Sequence, residues 1–180
     1  MKIEKDKTIA VVIDVQERLV PVMDKKEDFL ANTKKLIQGL TELSVHVIAT
    51  EQYPQGLGKT LPEISRLIDG FLPIEKTTFS CYDSPAFIDA LEEVDAPNVI
   101  LCGIESHVCL LQTAVDLKEE GYCPIVVADC TTSRYELDKL YAMDRFRYEG
   151  ILISSCESIL FELTRYSRSE HFKAISKIVK

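Results

Sequence analysis

At 180 residues, with 46% hydrophobic side chains and a mean hydropathy of +0.02, the chain is long enough for one domain with a proper core and too apolar to stay disordered. A formal net charge of −8 argues against nucleic acid or an anionic membrane surface as the main partner. No apolar run approaches the roughly 18–20 residues that cross a bilayer, and MKIEKDKTIAVVIDVQ meets an Asp before a signal-like segment forms, so the expected location is the cytoplasm.

Short β-branched runs alternate with amphipathic segments along the whole chain. TIAVVIDV (8–15) is a near-continuous apolar run of the kind that a doubly buried strand needs. Residues 26–43 place Phe29, Leu30, Thr33, Leu36, Ile37, Leu40 and Leu43 at the helical period, and SVHVIAT (44–50) is a second strand. The Pro- and Gly-containing stretch 51–64 reads as a loop entering a short helix. A weaker third strand follows at 71–79, then a helix within 84–94. NVILCGI (98–104) predicts a fourth strand, 106–121 a helix closed by Gly121, and 123–130 a fifth strand. A helix over 133–150, a sixth strand at 151–155 and a helix from Cys156 complete the alternation. The basic tail 165–180 repeats Phe172, Ile175 and Ile178 at helical spacing, as an amphipathic last helix with a solvated basic face. Six strands separated by helices predict a single α/β domain over 1–180, a three-layer α/β/α, Rossmann-like fold with a mostly parallel six-stranded sheet.

The six cysteines form no CxxC pair and have no His placed to complete a zinc site. They are expected to be reduced, most of them buried small residues and at most one or two reactive.

Ligands of open parallel sheets bind beyond the carboxyl ends of the strands. That places Asp14 and Gln16 after strand 1, Glu51 and Tyr53 after strand 2, Lys76 after strand 3, Glu105 to Cys109 after strand 4 and Asp129 to Arg134 after strand 5. Taken alone, Asp14 could be a helix cap, Lys76 a surface lysine and Cys109 a packing residue; their common placement at strand ends favours chemistry. Ser106 predicts a helix N-cap, which makes Cys109 the third helical residue, where free N–H groups and the positive helix end stabilise a thiolate. Cys102 lies inside the strand and is expected to be inert. Gly103 leaves the strand where the backbone must approach something closely. His107 points about 200° away from Cys109 around a helix and belongs at the rim.

Four stretches, VVIDVQ, EKTTFS, LCGIESHVC with LQTAVDL, and VVADCTTSR, resemble in order those of the isochorismatase-like cysteine hydrolases, whose relatives include nicotinamidases and N-carbamoylsarcosine amidohydrolase. The resemblance implies Asp14 as general base and acid, Lys76 as its electrostatic partner and Cys109 as nucleophile. It also implies a cis peptide between Ile104 and Glu105 that aims the Glu105 N–H, with that of Cys109, at an oxyanion. The implied activity is metal-independent hydrolysis of a C–N bond in a small amide or carbamoyl compound through a thioacyl-enzyme. Vinyl-ether hydrolysis and a binding or redox-sensing role for the thiol are the alternatives. Where nicotinamidases carry an Asp and several His for a metal, this chain has EQYPQGLGKT, so no metal or other cofactor is expected. Pocket walls are expected from Gln16, Tyr53, Phe79, Tyr82 and Ser106. Glu51 and Glu105 would make the pocket acidic unless paired. The family further implies a homo-oligomer. A phosphoryl-transfer receiver domain would need an acidic pair after strand 1 and an Asp after strand 3, where this chain has Asp14–Val15–Gln16 and Lys76.

Overall fold

The computed structural model describes residues 2–180. Its strands are β1 (Thr8–Ile13), β2 (His46–Gln52), β3 (Ile74–Lys76), β4 (Asn98–Ile104), β5 (Cys123–Thr132) and β6 (Leu152–Ser154). The helices are α1 (Lys26–Glu42), α2 (Pro54–Leu57), α3 (Pro62–Ser65), α4 (Pro85–Val94), α5 (Cys109–Glu119), α6 (Glu136–Tyr148), α7 (Cys156–Thr164) and α8 (Phe172–Val179).

The sheet order is β3-β2-β1-β4-β5-β6, and every neighbouring pair is parallel. Every residue of β1 and β4 is buried, because helices cover both faces of these central strands. One core packs α1, α7 and α8 on one face through Phe29, Leu36, Leu40, Ile159, Leu160 and Ile175. The other packs α4, α5 and α6 on the opposite face through Phe87, Leu91, Leu110, Leu117 and Phe146. The amphipathic tail is α8, with Ile175 buried and the Phe172 ring packed against that of Phe161, centres 6.1 Å apart and planes tilted by 39°.

The expected third strand shrinks to three residues. Pro73 offers no N–H to a ladder, and β3 sits at the sheet edge, pairing only with Thr50–Gln52. Strand order reverses between β1 and β4, so the carboxyl ends of these two strands form the crevice where an α/β sheet binds its ligand.

Gly103 makes that crevice possible. It adopts φ +119°, and a Cβ there would sit 2.1 Å from the carbonyl oxygen of Ile13 on the neighbouring strand. The pairing of β4 with β5 shifts register at the same place, between Leu101 and Gly103. Gly103→Ala is therefore expected to destabilise the fold by more than about 3 kcal/mol, from backbone strain plus a clash that no side-chain rotation relieves. Urea denaturation of the two proteins measures it; a midpoint unchanged by the substitution contradicts the assignment.

Candidate active site

β1 stops at Ile13, and Asp14 turns the chain at φ +53° while the Gln16 N–H donates to its carbonyl at 2.8 Å. The turn drives the Asp14 carboxylate into the crevice, fully buried. Two strand-end residues satisfy it: Thr50 Oγ1 donates to Oδ1 at 2.7 Å and Lys76 Nζ to Oδ2 at 2.8 Å. The ammonium also meets Gln52 Oε1 at 2.8 Å and the carbonyls of Thr78 and Phe79, each at 3.2 Å. A buried carboxylate and a buried ammonium are tolerated together because each has its remaining hydrogen-bonding capacity filled. Burial works against the Lys76 charge, but Asp14 and the nearby thiols outweigh it and hold its pKa above the ordinary value.

Cys109 is the first residue of α5, 7% exposed, and its thiol lies close enough to the Asp14 carboxylate and the Lys76 ammonium for both charges to act on it. Burial, and then Asp14, raise the thiol pKa despite the opposing pull of Lys76. This corrects the sequence expectation of a thiolate stabilised by the helix end. The resting group is a thiol beside a buried carboxylate. The N–H groups of Glu105 and Cys109 donate to no acceptor among the described residues, and the Ile104–Glu105 peptide is cis.

Ser106 is not an N-cap. Its N–H donates to the Thr132 carbonyl at 2.9 Å and its hydroxyl lies 2.8 Å from Thr131 Oγ1, so β5 captures the residue before the helix can use it. The helix begins after Val108 (φ −120°, ψ −95°) with no side-chain cap.

The expected pocket walls separate. Gln16 is buried and structural: its amide donates to the carbonyls of Gln52 and Gly58 and accepts from the Gln52 N–H at 2.7 Å. Ser106 is likewise buried. Tyr82 turns away to pack edge-on against Tyr122, 6.3 Å between ring centres, in a separate cavity with Leu91 and Pro97. Tyr53 and Phe79 are exposed, and Tyr53 lines a cavity of about 370 Å³ with Lys76, Thr78 and Ser84. That cavity does not reach Cys109. Both acids are paired: Glu51 Oε1 accepts from the Thr60 N–H and hydroxyl at 2.7 and 2.8 Å, and Glu105 Oε2 accepts from the Arg134 N–H and Nε, both at 3.1 Å. Of the two, only Glu105 has a cationic partner; Glu51 is hydrogen-bonded by neutral donors and keeps its charge without an ion pair among the described residues. His107 sits at the rim beside Ser133, 3.0 Å away. Among the described residues no three His, Cys, Asp or Glu side chains are arranged to hold a metal ion.

Sequence reasoning did not single out Thr50, Gln52, Thr113 or Cys81. Thr50 and Gln52 are two apart at the end of β2, on one face beside Asp14 and Lys76, a period-2 signal that was available. Thr113 Oγ1 donates to the Cys109 carbonyl at 2.7 Å and accepts from the Cys81 N–H at 2.9 Å. Cys81, fully buried with Sγ 3.9 Å from Thr50 Oγ1, is pushed up to about 11 by burial.

These shifts set a pH dependence of stability. Cys81, Cys109 and Lys76 all have folded pKa values above their ordinary ones, 9.0 for the thiols and 10.5 for the amine. Such groups bind more protons in the folded state, so their stabilisation is complete below about pH 9 and is lost as pH rises above it. The melting temperature is expected to fall above pH 9, and Cys81→Ala is expected to flatten that fall; a scan from pH 7 to 11 checks both.

An α/β sheet with a buried carboxylate, ammonium and thiol at its switch point defines a candidate thiol enzyme. The family profile of the isochorismatase domain matches residues 8–158, and the chain belongs to that family. Isochorismatase domain-containing protein 2 of Danio rerio is 34% identical over 172 residues, covering 96% of this chain and 86% of that protein. The structure described as the MAR1 ribonuclease of Caenorhabditis elegans superposes with a TM-score of 0.94 at 33% identity, over 99% of this chain and 92% of that one. The YcaC gene product of Escherichia coli, described as an octameric hydrolase of unknown specificity, has the same fold with a TM-score of 0.94 at 20% identity, over 99% and 89% of the two chains. No helix among the described residues is long and apolar enough to cross a membrane.

Proposed function

We propose that the protein is a cysteine hydrolase that cleaves a C–N bond of a small amide or carbamoyl compound through a thioester with Cys109. The observation that carries this reading is the buried Asp14–Lys76 pair, in contact at 2.8 Å and near enough to the buried Cys109 thiol for both charges to act on it. Asp14 takes the thiol proton as sulfur attacks the carbonyl carbon, and the N–H groups of Glu105 and Cys109 donate to the oxyanion that forms. The C–N bond breaks as the protonated Asp14 passes its proton to the leaving nitrogen. Asp14 then deprotonates a water that attacks the thioester, and the proton returns to sulfur as the acid is released. Lys76 holds the Asp14 carboxylate in place throughout and balances its charge. We propose no metal in this cycle, a cytoplasmic setting, and assembly as a homo-oligomer, as in the octameric fold relative. The ribonuclease description of the C. elegans relative is not carried over, because a chain of net charge −8 is poorly suited to a polyanion.

Release of ammonia or amine from a panel of small amides and carbamoyl compounds tests the reading, with acid-quenched mass spectrometry for the acyl adduct. Turnover with an adduct on Cys109 supports it. Turnover without any adduct, or no turnover alongside reversible oxidation of Cys109 by peroxide, overturns it.

A further inference from the structure

The connection from β4 to α5 carries the Glu105 N–H and delivers Cys109, and residues 131–134, at the end of β5 and just beyond, hold it along its length. Glu105 Oε2 accepts from the Arg134 N–H and Nε, both at 3.1 Å. The Ser106 N–H donates to the Thr132 carbonyl at 2.9 Å. His107 Nδ1 lies 3.0 Å from Ser133 Oγ.

Thr131 makes the innermost of these contacts. It is paired with Gly103 across β4 and β5, just past the register shift, and both it and Ser106 are fully buried. Thr131 Oγ1 donates to the Gly103 carbonyl at 2.8 Å and lies 2.8 Å from Ser106 Oγ. A threonine hydroxyl has one proton to give. That proton is committed to Gly103, so Ser106 is the donor in the second bond. The two bonds run in series, from the Ser106 hydroxyl to the Thr131 hydroxyl to the Gly103 carbonyl. One oxygen thus ties together the residues on either side of Ile104 and Glu105. The outer contacts are looser: the Arg134 side chain is 56% exposed, and water screens its ion pair with Glu105. The Thr131 pair is out of water, where a hydroxyl with both partners fixed keeps one orientation.

We infer that Thr131 is a positioning residue for oxyanion stabilisation, its hydroxyl closing the turn 103–106 so that the Glu105 N–H stays aimed at the carbonyl oxygen under attack. Because Glu105 acts in the thioester cycle proposed above, this role rests on that reading. Donors stabilise an oxyanion by being in place before the charge develops, and a displacement of about 1 Å costs on the order of a hundredfold in rate.

Two reagents separate this role from a general effect on the fold. p-Nitrophenyl acetate acylates a thiol through a tetrahedral oxyanion: the S–C bond forms, Asp14 takes the thiol proton, and the C–O bond to p-nitrophenolate breaks. Iodoacetamide alkylates sulfur with loss of iodide and forms no oxyanion. Both rates are read at Cys109 by mass spectrometry in a Cys123→Ser protein, which removes the partly buried thiol, with Cys109→Ala as the background. Thr131→Val, which keeps the volume and removes the hydroxyl, is expected to slow acylation about tenfold or more and to leave alkylation unchanged. Thr131→Ser is expected to restore most of the acylation rate. Should Thr131→Val fail to fold, Ser106→Ala removes the first donor of the same chain and is expected to show the same split. Acylation and alkylation falling together, acylation unaffected by the loss of the hydroxyl, or a Thr131→Ser protein as slow as Thr131→Val overturns the inference and leaves the hydrolase reading standing. A wild-type Cys109 that the ester never acylates overturns both.

Discussion

Cys109→Ala is expected to lose all amide turnover while remaining folded, and Asp14→Asn is expected to lose at least about a thousandfold in kcat. The two failures differ chemically, and that difference tests the site. Burial and Asp14 raise the thiol pKa while Lys76 opposes them. Removing the carboxylate charge deletes one of the raising influences and leaves Lys76 in place. The Asp14→Asn thiol is therefore expected to have a lower pKa than the wild type and to react faster with iodoacetamide, although the variant no longer turns over substrate. A site in which Asp14 merely lowered the thiol pKa would show the reverse, with labelling and turnover falling together. The measurement needs a Cys123→Ser background, because Cys123 is only partly buried whereas the other five cysteines are buried. With Cys123 removed, Cys109 is the most exposed of the remaining thiols, and the Cys109→Ala variant supplies the background to subtract from the labelling rate against pH. The double variant Cys109→Ala, Asp14→Asn is expected to be no worse than Cys109→Ala, since the two groups act as a unit.

The positions of Asp14, Lys76 and Cys109 were legible because a parallel sheet delivers the carboxyl ends of its strands to one edge. Alternation of apolar runs was enough to locate those ends. Hydrogen-bond partners were not legible in the same way. Ser106 has the chemistry of a helix cap, yet it is tied to Thr131 and Thr132 on β5. Glu51 and Glu105 look like free pocket acids until Thr60 and Arg134 are brought against them by the loop packing. Tyr82 follows a strand end in sequence, yet its ring turns to Tyr122, a direction that no local pattern encodes. The raised pKa of Cys109 was hidden for a related reason. A helix start lowers a thiol pKa, and the opposing desolvation depends on burial by the whole fold. α6 was legible as a helix, but that Leu137, Leu140, Tyr141 and Tyr148 face outward is seen only once Ala142, Met143 and Phe146 are found buried against the sheet.

Lys76→Ala is expected to destabilise the protein by about 3–5 kcal/mol, because it leaves the buried Asp14 carboxylate with the Thr50 hydroxyl and no cation. For a chain of this length each kcal/mol shifts the melting temperature by roughly 2–4 °C, so a fall of about 10 °C is the scale to look for. The pair itself is not the source of that loss. Two charges withdrawn from water gain in mutual attraction about what they lose in hydration, and the loss in the variant comes from the charge left behind. Asp14→Asn combined with Lys76→Met removes both charges while keeping most of the volume, and is expected to recover more than half of the deficit. Its coupling energy in a double-mutant cycle is expected to be large and favourable, since the two groups are in direct contact at 2.8 Å. The doubly neutral protein is expected to stay inactive, because nothing in it accepts the thiol proton. A folded, stable and inactive double variant would show that the Asp14–Lys76 pair is retained for proton transfer at Cys109, with stability a consequence of charge balance. Additive losses from the two substitutions, or recovered turnover in the double variant, would remove the reason for placing the pair in the catalytic cycle.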